Sequence, residues 1–159
     1  MDELFITIGS QKYLRAVLLE NPDTRAIPMS GNATQTAVLS WEDLKGSVNP
    51  VRFGVIDRYI QAPEGKRARS YMFTYMTGEE KDAENLDKLL LNDSTQDLKN
   101  ANPLSVTFMK EKDDLHRYVL FTSWEDINDM QHFKGSPLLA KITSNFYSTF
   151  NVIYTRGFD

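Results

Sequence analysis

The sequence predicts an α+β fold made of two related units in one chain, and three observations carry that prediction. A short motif occurs twice: Ala37-Val38-Leu39-Ser40-Trp41-Glu42-Asp43-Leu44 is echoed by Val119-Leu120-Phe121-Thr122-Ser123-Trp124-Glu125-Asp126-Ile127. In each copy an apolar run, read as a strand, ends in Ser-Trp-Glu-Asp, read as a helix start. There the Ser oxygen can accept an orphan backbone N–H, and the carboxylates face the positive end of the helix dipole. The elements flanking the two copies also follow the same order. Composition agrees: 159 residues, 41% hydrophobic and 25% charged, suit one ordinary domain or two small half-domains sharing a core.

Leu4 to Ile8 reads as a short apolar strand. Ser10 is placed to cap a helix whose Tyr13, Leu14, Val17 and Leu18 form one apolar face, and Asn21-Pro22 ends it. Arg25 to Met29 and Thr36 to Trp41 read as strands joined by the loop Ser30-Gly31-Asn32-Ala33. After the first Ser-Trp-Glu-Asp, Gly46 and Asn49-Pro50 leave room only for a helical stub. Val51 to Gln61 resumes as a strand with a mixed apolar pattern. Residues 1–62 thus form an abbreviated βαββ unit with a stub and a strand behind it. Ala62 to Arg69 is a polar connector and the best internal boundary.

Ser70 to Thr77 alternates cleanly, with Tyr71, Phe73 and Tyr75 on one face and Met72, Thr74 and Met76 on the other. Gly78 to Lys99 reads as one helix, acidic in its first turn, with Ala83, Leu86, Leu89 and Leu90 at core spacing. Pro103 to Lys110 and His116 to Ser123 make a hairpin across the charged turn Glu111-Lys112-Asp113-Asp114. The second Ser-Trp-Glu-Asp opens a real helix, with Ile127, Met130 and Phe133 on its apolar side. Gly135 ends it. Ser136-Pro137 starts another, Ser as cap and Pro at the first helical position, where its missing N–H costs nothing. Asn145 to Thr155 closes the chain as a strand with Phe146, Phe150, Val152 and Tyr154 at alternate positions. Residues 70–159 are β-α-β-β-α-β, the split βαβ ferredoxin-like pattern in full.

Several function classes are disfavoured at this level. A net charge of −4 argues against a nucleic-acid or anionic-membrane surface, and the one basic cluster, Lys66-Arg67-Ala68-Arg69, reads as a solvated turn. With no cysteine, disulfides, thiolate catalysis and Cys-ligated metals are excluded. No apolar stretch approaches the roughly 20 residues that span a bilayer. The acidic N-terminus (Asp2, Glu3) is the wrong chemistry for a signal peptide, so a cytoplasmic protein is expected. The two histidines, His116 and His132, lack metal-site spacing, and no phosphate-binding Gly-rich motif is present. The aromatic residues on the Tyr71 strand, with Phe108, Phe121, Trp124 and Phe133, could line a cavity for a flat hydrophobic ligand. Sheet core is the commoner fate of aromatics at this spacing.

The run Val119 to Asp126, followed by Met130-Gln131-His132-Phe133-Lys134-Gly135-Ser136-Pro137, resembles the strand, Trp-turn and helix pair of the antibiotic-biosynthesis-monooxygenase (ABM) domain. That domain is ferredoxin-like, of the dimeric α/β-barrel type. Phe5-Ile6-Thr7-Ile8-Gly9, Tyr13-Leu14 and Asn21-Pro22 echo the N-terminal signature of a two-part subfamily. It includes haem-degrading monooxygenases of the IsdG type and the staphylococcal protein called target of RNAIII-activating protein. The resemblance spans nearly the whole chain. It implies a monooxygenase-like protein with haem as the candidate cofactor and a small hydrophobic or tetrapyrrole ligand as its partner. It also implies sheets paired face to face, either in a homodimer or by the first unit packing on the second within one chain.

Haem-degrading members use an Asn on the first ABM strand, a Trp at the end of the helix after the Trp-turn, and a His haem ligand on the next helix. Phe73, Phe133 and Thr143 stand at those positions in this chain. Phe133 keeps an apolar wall but loses the indole N–H, and Thr143 cannot ligate ferric iron as an imidazole does. His132 lies about 100° from Phe133 round a helix, so it substitutes as ligand only if the helix is turned. Phe73, His132, Phe133 and Thr143 therefore mark the pocket of a diverged site. A cofactor-free oxygenase would instead need a polar group to deprotonate or orient its substrate, for which Tyr75, Asn128 and His132 are the candidates. The competing expectation is a non-catalytic regulatory or stress-related binding protein on the same fold.

Overall fold

Tyr71, Phe73 and Tyr75 alternate with Met72 and Met76 along one strand, and the two sets enter different cores. The structure is a computed structural model that describes residues 3–21, 27–31, 36–46 and 50–156. Its elements are β1 (Glu3–Gly9), α1 (Gln11–Glu20), β2 (Ile27–Gly31), β3 (Thr36–Ser40), β4 (Val51–Ile60) and β5 (Ser70–Thr77). Then come α2 (Glu80–Lys88), a π-turn (Leu89–Asp93), α3 (Thr95–Asn100), β6 (Ser105–Glu111), β7 (Arg117–Trp124), α4 (Ile127–Lys134), α5 (Pro137–Thr143) and β8 (Ser148–Arg156). The fold is α+β, as the alternation and helix faces predicted.

All strand pairings are antiparallel, and the sheet closes into a barrel in the order β1-β3-β2-β8-β5-β7-β6-β4. Strands of the first and second units meet at two seams, β2 with β8 and β4 with β6. Each unit's edges are thereby paired by the other, inside one chain. Eight strands enclose a space that side chains fill. Leu4, Ile6, Leu39, Phe53, Tyr71, Phe73, Met109, Val119, Phe121 and Tyr154 form this inner core. Outside the β5–β8 half a larger core lies under the helices, with Met72, Leu86, Phe108, Trp124, Phe133 and Ile142 among its members. Outside the other half α1 contributes Leu14 and Val17 to a small cluster with Val38 and Leu44.

Local signals explain most helix starts. Ser10 Oγ accepts from the Tyr13 N–H at 3.2 Å, and Ser136 Oγ accepts from the Leu139 N–H at 3.1 Å with Pro137 at the first helical position. Two expectations need correcting. Ser123 is not a helix cap: it lies next to last in β7 and shares a hydrogen bond with the Ser105 hydroxyl, while Asp126 caps α4 by accepting from Asn128 N–H at 2.8 Å. In the first copy Ser40 Oγ accepts from Glu42 N–H at 3.0 Å, and no helix follows over the described residues 41–46.

The single helix expected over residues 78–99 is also divided. Thr95 Oγ1 donates to the Leu90 and Leu91 carbonyls at 3.0 Å each, and the backbone widens to a π-turn before α3. Short polar side chains that compete for backbone partners are the physical cause. Phe146 lies before β8 rather than in it and is buried with the helix-layer core. Arg25, the loop residues Asn32 and Ala33, Pro22 and Asn49 lie outside the described residues. No helix among the described residues is long and apolar enough to cross a membrane.

Candidate functional site

The sheet itself separates the residues expected to share a pocket. Phe73 belongs to the barrel interior, stacked on Phe121 with ring centroids 4.6 Å apart and edge-on to Tyr154 at 5.7 Å. Phe133 lies on the opposite side of the sheet, its ring 5.3 Å from Trp124. His132 is exposed on α4, and Thr143 Oγ1 donates to the Leu139 and Ala140 carbonyls at 3.0 and 3.3 Å. Tyr75 stacks on Phe150 at 4.9 Å, and burial pushes its hydroxyl above the ordinary phenol value. Asn128 is exposed in the first turn of α4.

Beneath α4 and α5 the space is taken by Trp124, Met130, Phe133, Leu139 and Ile142, all buried. Trp124 Nε1 donates to Thr122 Oγ1 at 2.9 Å, so its one polar atom is satisfied inside that core. These residues do not fit a haem: the aromatic pair occupies the space, and the one histidine on these two helices is exposed. Among the described residues no cluster of three or more His, Asp or Glu side chains could hold a metal ion.

An open groove of about 440 Å³ lies instead between α2 and the outer faces of β4, β6 and β7. Ile56, Ala83, Leu115 and Tyr118 supply its apolar surface, and Glu80, Glu84, Asp87 and Lys110 its charged rim. Lys110 Nζ donates to the Asp114 carbonyl at 2.7 Å and sits 5.8 Å from the Tyr118 ring centre.

Two β-bulges in β4 build one end of this groove. The register with β6 slips between Val55 and Asp57 and again between Arg58 and Ile60, leaving Ile56 and Tyr59 as the extra residues. A bulge re-aims side chains that strict alternation would send elsewhere. Here Ile56 enters the groove wall, and Tyr59 packs on the helix-layer core with its hydroxyl donating to Asp87 Oδ1 at 2.6 Å. Asp57 faces the same Asp87 carboxylate and accepts from the Arg58 backbone N–H at 2.9 Å. Burial first, and then Asp87, holds the Asp57 carboxyl above the usual carboxylate range. The Tyr59 hydroxyl is pushed up in the same way. A carboxyl held above its ordinary range beside an open groove is a candidate acid–base group. Sequence reasoning passed over Asp57, Tyr59 and Asp87; the only trace of the first two was the mixed pattern of residues 51–61.

No protein-family model matches the sequence, and neither does a curated protein. Solved structures do match. One is a ferredoxin-fold protein from Listeria monocytogenes, described as related to antibiotic biosynthesis monooxygenases: TM-score 0.79, 15% identity, covering 100% of this chain and 96% of that one. A second is a major regulator of staphylococcal pathogenesis: TM-score 0.77, 17% identity, covering 98% of this chain and 99% of that one. A third is the heme-degrading enzyme LmHde from Listeria monocytogenes: TM-score 0.75, 17% identity, covering 98% of this chain and 99% of that one. The chain has their fold. The match runs over nearly the whole of each chain. At these identities the likeness carries the backbone plan and leaves the site residues to be argued from this chain.

Proposed function

We propose that the protein is a monooxygenase-like small-molecule binder with a diverged site, which takes a largely apolar ligand in the α2 groove rather than a tetrapyrrole beneath α4 and α5. The observation that carries this reading is the contrast in packing. A haem under α4 and α5 would have to displace Trp124 and Phe133 from a filled core, whereas the groove is open and has the size and mixed lining of a ligand site. Asp57, its carboxyl raised chiefly by burial and next to the groove residues Ile56 and Asp87, is the candidate acid–base group that a cofactor-free oxygenase would need to deprotonate its substrate. In a purely regulatory binder the same groove would hold its ligand without that step.

Nile red, a neutral apolar dye, tests the groove, and haem tests the alternative. Nile red should bind with a blue shift, and Leu115→Asp should weaken binding several-fold without unfolding the chain, because Leu115 is 79% exposed. Haem should give no Soret shift that depends on His132. Nile red binding unchanged in Leu115→Asp, together with a Soret band lost in His132→Ala, would overturn the reading. Oxygen consumption with aromatic or quinol substrates separates an oxygenase from a binder.

A further inference from the structure

We propose that the α2 groove selects a small organic cation, a protonated amine or quaternary ammonium carried on a flat apolar body. This rests on the groove being the ligand site proposed for this protein, and names the chemistry it takes. What carries it is a row of carboxylates set along an apolar wall. Glu80, Ala83, Glu84 and Asp87 recur at spacings of three and four residues, so α2 turns one face to the groove, and that face is mostly acidic. Ile56, Leu115 and Tyr118 supply the apolar surface. Among the described residues of the lining, Lys110 is the one cation set against the three carboxylates.

Helix stability does not account for that row. Neighbouring acidic residues have structural roles: Asp82 Oδ2 accepts from the Glu79 N–H at 2.8 Å, and Glu79 Oε2 lies 3.6 Å from His116 Nδ1. Glu84 and Asp87 instead lie beyond the first turn, where the helix dipole no longer favours a carboxylate. Glu80 and Glu84 are like charges one turn apart, which costs helix stability, and neither joins an ion pair among the described residues. Asp87 accepts from the Tyr59 hydroxyl at 2.6 Å, and a carboxylate has acceptor sites to spare after one such bond. The field of these groups reaches the groove wall: burial first, then Glu80, Glu79, Asp82 and Glu84, push the Tyr118 hydroxyl above its ordinary value. The Lys110 ammonium stands 5.8 Å from the Tyr118 ring centre, within cation–π range, so this wall already accepts a positive group. Lys110 is tethered to the Asp114 carbonyl at 2.7 Å and pairs with no rim carboxylate. Unpaired carboxylates over an apolar surface complement a ligand that has both an apolar body and a positive charge.

Nile red and Nile blue test this as a matched pair, since they share a fused aromatic ring system and differ mainly in charge, neutral in the first and cationic in the second. Each is titrated against the full chain at neutral pH and read by fluorescence. Nile blue should bind about tenfold tighter than Nile red in about 0.01 M salt, and the two should converge in about 1 M salt, where the screening length falls to about 3 Å. Glu84 is exposed, so Glu84→Gln leaves the fold intact, and it should cut the ratio of Nile blue to Nile red affinity about threefold. Lys110→Gln should raise that ratio. Glu64→Gln, in the connector and outside the groove lining, changes the net charge as Glu84→Gln does and should leave the ratio unchanged. Circular dichroism checks that each variant is folded. Nile blue binding no tighter than Nile red, or a ratio lowered as much by Glu64→Gln as by Glu84→Gln, would overturn the cation preference and leave the groove standing as a ligand site. Binding of neither dye would overturn the groove and the preference together.

Discussion

Trp41 and Trp124 occupy the same place in the same tetrapeptide, yet the barrel treats them oppositely. Trp124 is fully buried under α4, whereas Trp41 stands part-exposed at the barrel mouth beneath Arg58. The reason is phase. In β7 Phe121 faces the interior, so Trp124, three residues on, faces the helices. In β3 Leu39 faces the interior and Val38 faces α1, so Trp41 continues the inward set. The two Ser-Trp-Glu-Asp tetrapeptides match letter for letter, but the strands leading into them are one residue out of step with the barrel wall, and one step exchanges the faces of a strand. A sequence repeat is therefore not automatically a structural repeat. The outward Trp124 is covered by a helix, while the inward Trp41 leads into a loop and leaves a pocket.

The largest expected effect is in this pair. Trp124→Ala should cost about 3–5 kcal/mol of stability, since it empties a packed core and removes the indole N–H that Thr122 Oγ1 accepts. Trp41→Ala should cost no more than about 1 kcal/mol, being part-exposed. Urea unfolding measures both, and equal costs would break the comparison. A smaller effect separates the helix starts. Asp126→Ala removes a working cap and should cost about 1 kcal/mol, while Ser40→Ala, with no helix over the described residues 41–46, should cost about half as much.

The smallest effect concerns the seam between the halves, where β4 carries Asp57 toward Asp87. Because the folded-state pKa of Asp57 is raised, its favourable contribution is complete below the unfolded value near ~4 and is lost as pH rises through the folded value. Asp57→Asn keeps the shape of the side chain and removes the charge that burial and Asp87 oppose. It should match the parent chain in acid and exceed it by less than about 1 kcal/mol at neutral pH, after allowance for solvent screening. Urea midpoints measured across pH 4 to 7 check the sign, with the lower end set by ordinary carboxylate values. A variant less stable than the parent at neutral pH would show that the carboxylate form is the one stabilised.

Much of the fold was legible because its signals are local. The alternation along Ser70 to Thr77, the caps at Ser10 and Ser136 and the apolar face of α1 each depend on residues within a turn or two. The candidate site was not legible. Asp57 and Tyr59 reach Asp87 only because two extra residues sit in β4, and a bulge is defined against a partner strand. The expected grouping of Phe73 with Phe133 met the same obstacle, since which face of β5 meets the helices is a matter of register.

By itself, then, the sequence determined the order and type of the elements, the alternating faces of β5 and the absence of thiol chemistry. These follow from backbone and side-chain preferences over a few residues. Only the tertiary structure decided how the two units close on one another, which Trp is covered, where the bulges fall and which polar groups meet. Those outcomes depend on pairings between distant residues. A single-residue shift in such a pairing turns a buried side chain outward without changing any local preference.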